Sequence, residues 1–269
     1  MDFIINPFVN ALLWIYQLLG AGENAFGWAI IIFTLIIRLV LYPLTKSQLE
    51  SSKKLQELQE SPEWQKIQKK YKDDKEKLSQ EQMRLYQEMG INPFGSCLPT
   101  LIQFPLIIAL YWSITKSLAI SPVQLLTLKP IIALPNAASL IPLNNQFLWM
   151  DLSQPERWLG LSNVIPESWP IIGAGIPILA ILVFVTSYFQ TKVTATSTGS
   201  GNQTAMMSNM MSIYIPVLMA WLSYSYSAGL AIYFVASNLA SLVQYALMGR
   251  LDITKLFNRK EAAPEKGKK

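Results

Sequence analysis

Apolar residues gather in five blocks of about 20, divided by polar stretches: Gly27–Thr45, Cys97–Lys116, Pro170–Gln190, Asn209–Ser227 and Leu230–Gly249. A helix rises 1.5 Å per residue, so a block of about 20 apolar residues covers a hydrocarbon core of about 30 Å. The pattern predicts an all-α membrane protein with five transmembrane helices. The last two blocks are joined by Ser227-Ala228-Gly229 alone and form a tight helical hairpin. An earlier apolar run, Phe8–Leu19, is too short to span. Asn6, Asn10 and Gln17 share one of its faces, and residues 1–22 read as an amphipathic helix lying in the interface.

The polar stretch 46–92 carries helix signals of its own. Ser61-Pro62-Glu63 offers an N-cap, a proline at the first helical position and an acid in the first turn. Trp64, Ile67 and Tyr71 then make one apolar stripe. Asp73-Asp74 marks a turn, Ser79–Gln82 reads as a capping box, and Gly90 before Asn92-Pro93 is a stop. The expectation is a helical hairpin, either packed on itself or also offered to a partner. Residues 119–169 are rich in proline and carry Trp149 and Trp158, aromatics suited to headgroup depth. Residues 191–207, with a Ser/Thr/Gly run, read as a flexible connector.

Charge sets an expected orientation. Only 14% of residues are charged, against about 25% in soluble domains. Residues 46–97 hold ten Lys/Arg and nine Asp/Glu, so most of the +5 net charge resides in the tail, with seven basic and three acidic residues in 250–269. The stretch 119–169 has two basic residues, Lys129 and Arg157. The positive-inside rule puts the N-terminus and 119–169 outside, and 46–92, 191–207 and the tail 251–269 in the cytoplasm. A bacterial inner (plasma) membrane is expected, since nothing before Arg38 supplies the positive n-region of a leader or a transit peptide. The basic tail either fixes topology on anionic lipid or also touches ribosomal RNA phosphates; sequence-specific nucleic-acid binding is not expected.

Histidine is absent and Cys97 is the sole cysteine, which removes most zinc sites and the Ser/His and Cys/His nucleophile pairs. There is no Walker-type loop. No cofactor, no metal and no enzymatic chemistry are expected. Cys97 beside Pro99 reads as a small buried thiol.

Arg38 stands inside the first block, and none of the five blocks contains an Asp or Glu. An arginine at a helix centre costs about 2.5–3.5 kcal/mol on insertion scales, less where it can snorkel. Its guanidinium must therefore face water, polar side chains, carbonyls or something outside the chain. Thr34 lies one turn before it. Gln103 in the second block, and Ser237, Asn238, Ser241 and Gln244 in the fifth, could line a common cavity; they could equally bond helices together.

The same residues resemble the YidC/Oxa/Albino family of membrane insertases over nearly all of 20–250. The resemblance rests on Thr34, Arg38 and Tyr42-Pro43-Leu44-Thr45; on Asn92-Pro93-Phe94-Gly95-Ser96-Cys97-Leu98-Pro99 with Gln103, Pro105 and Ala109-Leu110-Tyr111; on Trp149-Met150-Asp151-Leu152-Ser153; and on Gly229-Leu230-Ala231-Ile232-Tyr233 with Ser237-Asn238-Leu239. It implies a five-helix core (23–250) around a hydrophilic groove open to cytoplasm and lipid and closed outward. Arg38 would project into that groove, with Tyr233 in its wall. The hairpin 46–92 would be mobile and take part in substrate capture. Nascent membrane proteins would be the substrates, handled alone or beside the Sec translocon, with the ribosome a further partner. Ser96 departs from a commoner glycine. The rival class, a small-solute transporter or channel, would want inverted repeats or paired ion ligands, and neither is visible.

Overall fold

A computed structural model describes residues 2–71, 74–90, 98–118, 143–156, 176–194 and 202–248. The protein is mostly helical: α1 (Asp2–Leu18), α2 (Ala25–Val40), α3 (Tyr42–Glu60), α4 (Pro62–Lys70), α5 (Lys75–Glu88) and α6 (Leu98–Leu118) come first. A small hairpin of β1 (Gln146–Phe147) and β2 (Met150–Asp151) follows, then α7 (Ile178–Thr194), α8 (Asn202–Ser225) and α9 (Ala228–Leu247). The stretch 91–97 with Cys97, most of 119–169, the connector 195–201 and the tail from 249 lie outside the described residues.

The bundle is built around α9. Its first seven residues, Ala228 to Phe234, are all buried, and it packs between α2 and α7. α8 pairs with α7, and α6 with α1. α1 packs against both α2 and α6, burying Val9, Leu12, Leu13 and Tyr16. Phe8 meets Phe33 edge-to-face at 5.2 Å, and Tyr16 meets Phe26 at 5.9 Å, geometries that aromatic quadrupoles favour. Among the described residues α9 alone is long and apolar enough to cross a bilayer, and α2 passes the same test together with Tyr42–Leu55 of α3; Ile178–Val193 and Ser212–Ser225 are apolar but shorter.

Several boundaries differ from those expected. The first block does not continue straight to Thr45: the chain bends by 56° between α2 and α3. Pro43 has no N–H, so the carbonyl of Leu39 loses its helical partner and the helix breaks at Leu41. α7 begins at Ile178 rather than Pro170, because Pro177 stands at its start and its carbonyl accepts from Ile181 N at 3.1 Å. The connector expected at 191–207 is shorter, since 191–194 and 202–207 are helical.

α4 and α5 close over a small core of Leu58, Trp64 and Leu85, with the Trp64 and Tyr86 rings 5.5 Å apart. Ser61 caps α4 as expected, its side chain accepting from Trp64 N at 3.3 Å. The capping box expected at Ser79–Gln82 is not one. α5 starts a turn earlier, on Asp74, whose carboxylate accepts from Lys77 N at 3.1 Å, and Ser79 lies inside the helix. Gly90 ends α5 with φ 61°, a left-handed stop that glycine tolerates.

At the opposite end of the bundle, residues 143–156 form a cap. Gln146 pairs with Asp151 and Phe147 with Met150, and Leu148 turns the hairpin at φ 54°. Asp151 accepts from Asn145 Nδ2 at 2.9 Å and from Ser153 N at 2.8 Å, fixing the turn. The Phe147 ring lies directly on Gly27 of α2, where a Cβ would meet it at 2.1 Å. Leu152 and Gln154 turn their carbonyls to the first N–H groups of α9, at 3.2 Å from Gly229 N and 2.7 Å from Ala228 N. These are donors that a helix start leaves unsatisfied.

Candidate functional site

Arg38 sits in the last turn of α2, where the helix dipole favours a cation. Its Nε donates to Ser237 Oγ of α9 at 3.0 Å, and its Nη2 donates to the same oxygen. A guanidinium carries five N–H donors, and one serine oxygen engages two of them. Among the described residues no carboxylate pairs with it. The rest of the group faces a cavity of about 260 Å³ walled by α2, α3, α6, α7, α8 and α9.

Four of the residues expected at such a site do meet there: Arg38, Gln103, Ser237 and Asn238 all line this cavity. Gln103 Nε2 donates to the Tyr233 hydroxyl oxygen at 2.6 Å, which ties α6 to α9 and sets Tyr233, buried in α9, behind the wall. Asn238 Nδ2 donates both to Thr186 Oγ1 at 3.1 Å and to Ser187 Oγ at 2.8 Å, fastening α7 to α9.

Three others are placed differently. Thr34 is buried with its hydroxyl on the Ile30 carbonyl at 2.6 Å, and Ser241 likewise bonds back to the Ser237 carbonyl at 2.9 Å. A serine or threonine inside a helix satisfies itself this way when no partner competes. Gln244 donates from Nε2 to the backbone carbonyl of Arg38 at 3.0 Å, at the α2–α3 bend, and its Oε1 is buried without a partner among the described residues. It lines a second cavity of about 360 Å³, an apolar groove between Leu35 and Leu39 of α2 and Leu239 and Val243 of α9. Arg38 belongs to both walls and so stands between the polar cavity and the apolar groove.

Sequence reasoning missed Thr45 and Gln48 of α3, Ser187, Gln190 and Thr191 of α7, and Tyr245 of α9, all of which line the polar cavity. The α7 residues had a legible signal: positions 187, 190 and 191 share one face of the helix. Thr45 and Gln48 arrive only through the bend after Val40. Among the described residues no three His, Cys, Asp or Glu side chains converge on a possible metal position.

The comparisons with known proteins bear on family and fold. The model of the family described as 60Kd inner membrane protein matches residues 14–255. The chain belongs to that family. A Clostridium tetani relative named membrane protein insertase YidC is 33% identical over 97% of this chain and 95% of its own length. A Leptospira interrogans relative of the same name is 32% identical over 93% of this chain but only 35% of its own, so the chain spans about a third of that relative. A solved structure titled as an active YidC insertase with its first transmembrane domain resolved is 28% identical, with a TM-score of 0.54 over 90% of this chain and 46% of that one.

Proposed function

We propose that this chain is a membrane protein insertase that lowers the barrier for moving a substrate's polar segment across the bilayer. The observation that carries the reading is Arg38: a cation without a carboxylate partner among the described residues, held by Ser237 at the wall of a polar cavity. An unpaired intramembrane charge is a functional group by default. Kinship with proteins named as insertases supports the class of function.

In the proposed mechanism five helices, α2, α6, α7, α8 and α9, cross a bacterial inner membrane. The hairpin α4–α5 and the basic tail are cytoplasmic, and the N-terminus and the cap at 143–156 face out. Water in the cavity shortens the hydrocarbon path for the substrate's polar segment. The guanidinium, with donors unbonded among the described residues, attracts carboxylates in that segment; in a low-dielectric surround such an attraction far exceeds its value in water. The substrate's apolar helix moves along lipid-facing surfaces of the second and fifth spans, and hydrophobic partition then releases it into lipid. The hairpin would capture substrate, and the tail would meet anionic lipid or the ribosome; action beside the Sec translocon belongs to the same reading. The barrier falls without covalent chemistry, so no catalytic residue is assigned. Growth of cells depleted of their own insertase tests the function: rescue by this chain is expected, and a chain inserted in the membrane that gives no rescue would refute it.

A further inference from the structure

Glu156, in the cap, shows how this fold settles a buried charge. The residue is 5% exposed and both carboxylate oxygens are bonded: Oε2 accepts from Leu179 N at 3.0 Å and Oε1 from Trp149 Nε1 at 3.1 Å. Arg38 is not settled in that way. Ser237 Oγ accepts from both Nε and Nη2, which occupies one edge of the guanidinium. Three of the five N–H donors, including the fork between Nη1 and Nη2, have no acceptor among the described residues.

The cavity beside that fork supplies no protein anion. Among the described residues that line it, Arg38 is the one charged side chain, and Thr45, Gln48, Gln190 and Asn238 are polar but neutral. A lone cation in a surround of low dielectric is held at least cost with an anion beside it. The charge count sets the class of that anion. One guanidinium is balanced by one monovalent ion, whereas a dianion would leave net negative charge among neutral walls. Two N–H groups of one fork suit either a small spherical anion or a carboxylate, so the same donors serve both. At about 260 Å³ the cavity has room for a halide with several waters.

We propose that Arg38 holds an exchangeable monovalent inorganic anion, chloride being the probe, and that a substrate carboxylate enters the cavity by displacing it. The proposal rests on the reading of the cavity as the path of the substrate's polar segment. Insertion of acidic segments should then depend on which salt is present, beyond what ionic strength explains.

Binding is tested on the purified full chain in neutral-detergent micelles, titrated with chloride while the chlorine NMR linewidth is followed. Saturable broadening is expected, half-complete on the order of 10 mM, the strength of two charge-assisted bonds. Arg38→Gln should lose it, and Arg84→Gln, at an exposed arginine of α5, should keep it. Circular dichroism checks folding. A soluble acidic peptide added to the wild type should abolish the broadening and a neutral one should not, an arm that needs no variant. Adding phosphatidylglycerol should leave the broadening in place; its loss would make a lipid phosphate the occupant and overturn the proposal. So would broadening that is absent, or equal in wild type and folded Arg38→Gln.

Exchange is tested in phosphatidylcholine liposomes as the ratio of insertion rates for an acidic-tailed and a neutral-tailed substrate. Chloride at about 150 mM should lower the ratio severalfold, toward that of Arg38→Ala, and sulfate at equal ionic strength should lower it less. Equal effects of the two salts would reduce the salt response to screening and overturn the exchange. Arg38-dependent broadening in a protein that inserts neither substrate would refute the insertase reading and leave the anion site standing.

Discussion

Gln244 of α9 donates a 3.0 Å hydrogen bond to the backbone carbonyl of Arg38, in the last turn of α2, just before the 56° bend that Pro43 enforces. The bond meets a carbonyl near the break, where the helix supplies fewer donors than it does inside, and so fixes where Arg38 is carried relative to α9. Gln244→Leu keeps the size and removes the donor. Stability should fall by about 1 kcal/mol, the usual net worth of such a bond. Insertion of a substrate with an acidic tail should fall severalfold although the arginine is intact. Unfolding in detergent and a liposome insertion assay measure the two effects, and an unchanged insertion rate would remove Gln244 from the positioning of Arg38.

Asn238 fastens α7 to α9 with two bonds from one amide nitrogen. Asn238→Leu leaves Thr186 and Ser187 to their own helix and should destabilise the bundle by about 1–3 kcal/mol, the range for buried polar groups that lose partners. Thermal unfolding reads this directly. Asn238→Asp should be worse than Leu, because it buries a charge facing two hydroxyls.

The hairpin has a separate small core, and Trp64 is its largest member. Trp64→Ala should cost about 3–5 kcal/mol locally, as truncating a buried aromatic does. The effect should appear as rapid proteolysis within α4 and α5 while the helices of the bundle stay protected.

The same hairpin carries a pH-dependent cap. The Lys77 backbone N–H, and then the Lys77 side chain, hold the Asp74 carboxyl below its ordinary range. A folded pKa below the unfolded one adds stability above the unfolded value of about 3.9, and that stability is lost as pH falls through the folded value. Amide-exchange protection in the first turn of α5 should therefore hold at neutral pH and decline only in acid. Asp74→Ala should lack the excess protection throughout; equal protection in both proteins at pH 7 would contradict the cap.

Much of this was legible in the chain because hydrophobic blocks and one stranded charge are strong local signals. Arg38, Gln103, Ser237 and Asn238 converge on one cavity as their positions within apolar blocks suggested. The failures have physical causes. Ser79 and Asp74 are both good caps five residues apart, and the earlier start prevails because it adds a turn that puts Leu78 on the same face as Leu85. Thr34 and Ser241 share the periodicity of cavity residues, but a hydroxyl can always bond its own helix, and spacing alone does not show which it chooses. Thr45 and Gln48 reach the cavity through a bend whose angle no periodicity encodes. Glu156 gave no warning: it lies in a proline-rich stretch, and its partners at Trp149 and Leu179 are set by how the cap folds back on α7.

The direct test of the central claim is the insertion of a short single-span substrate into liposomes containing purified protein, with the substrate's translocated tail either acidic or neutral. Arg38→Ala should slow insertion of the acidic-tailed substrate by about tenfold, corresponding to about 1.4 kcal/mol of barrier. The neutral tail should be affected less, and Arg38→Lys should retain most activity. Equal insertion of both substrates by the wild type and Arg38→Ala would contradict the account.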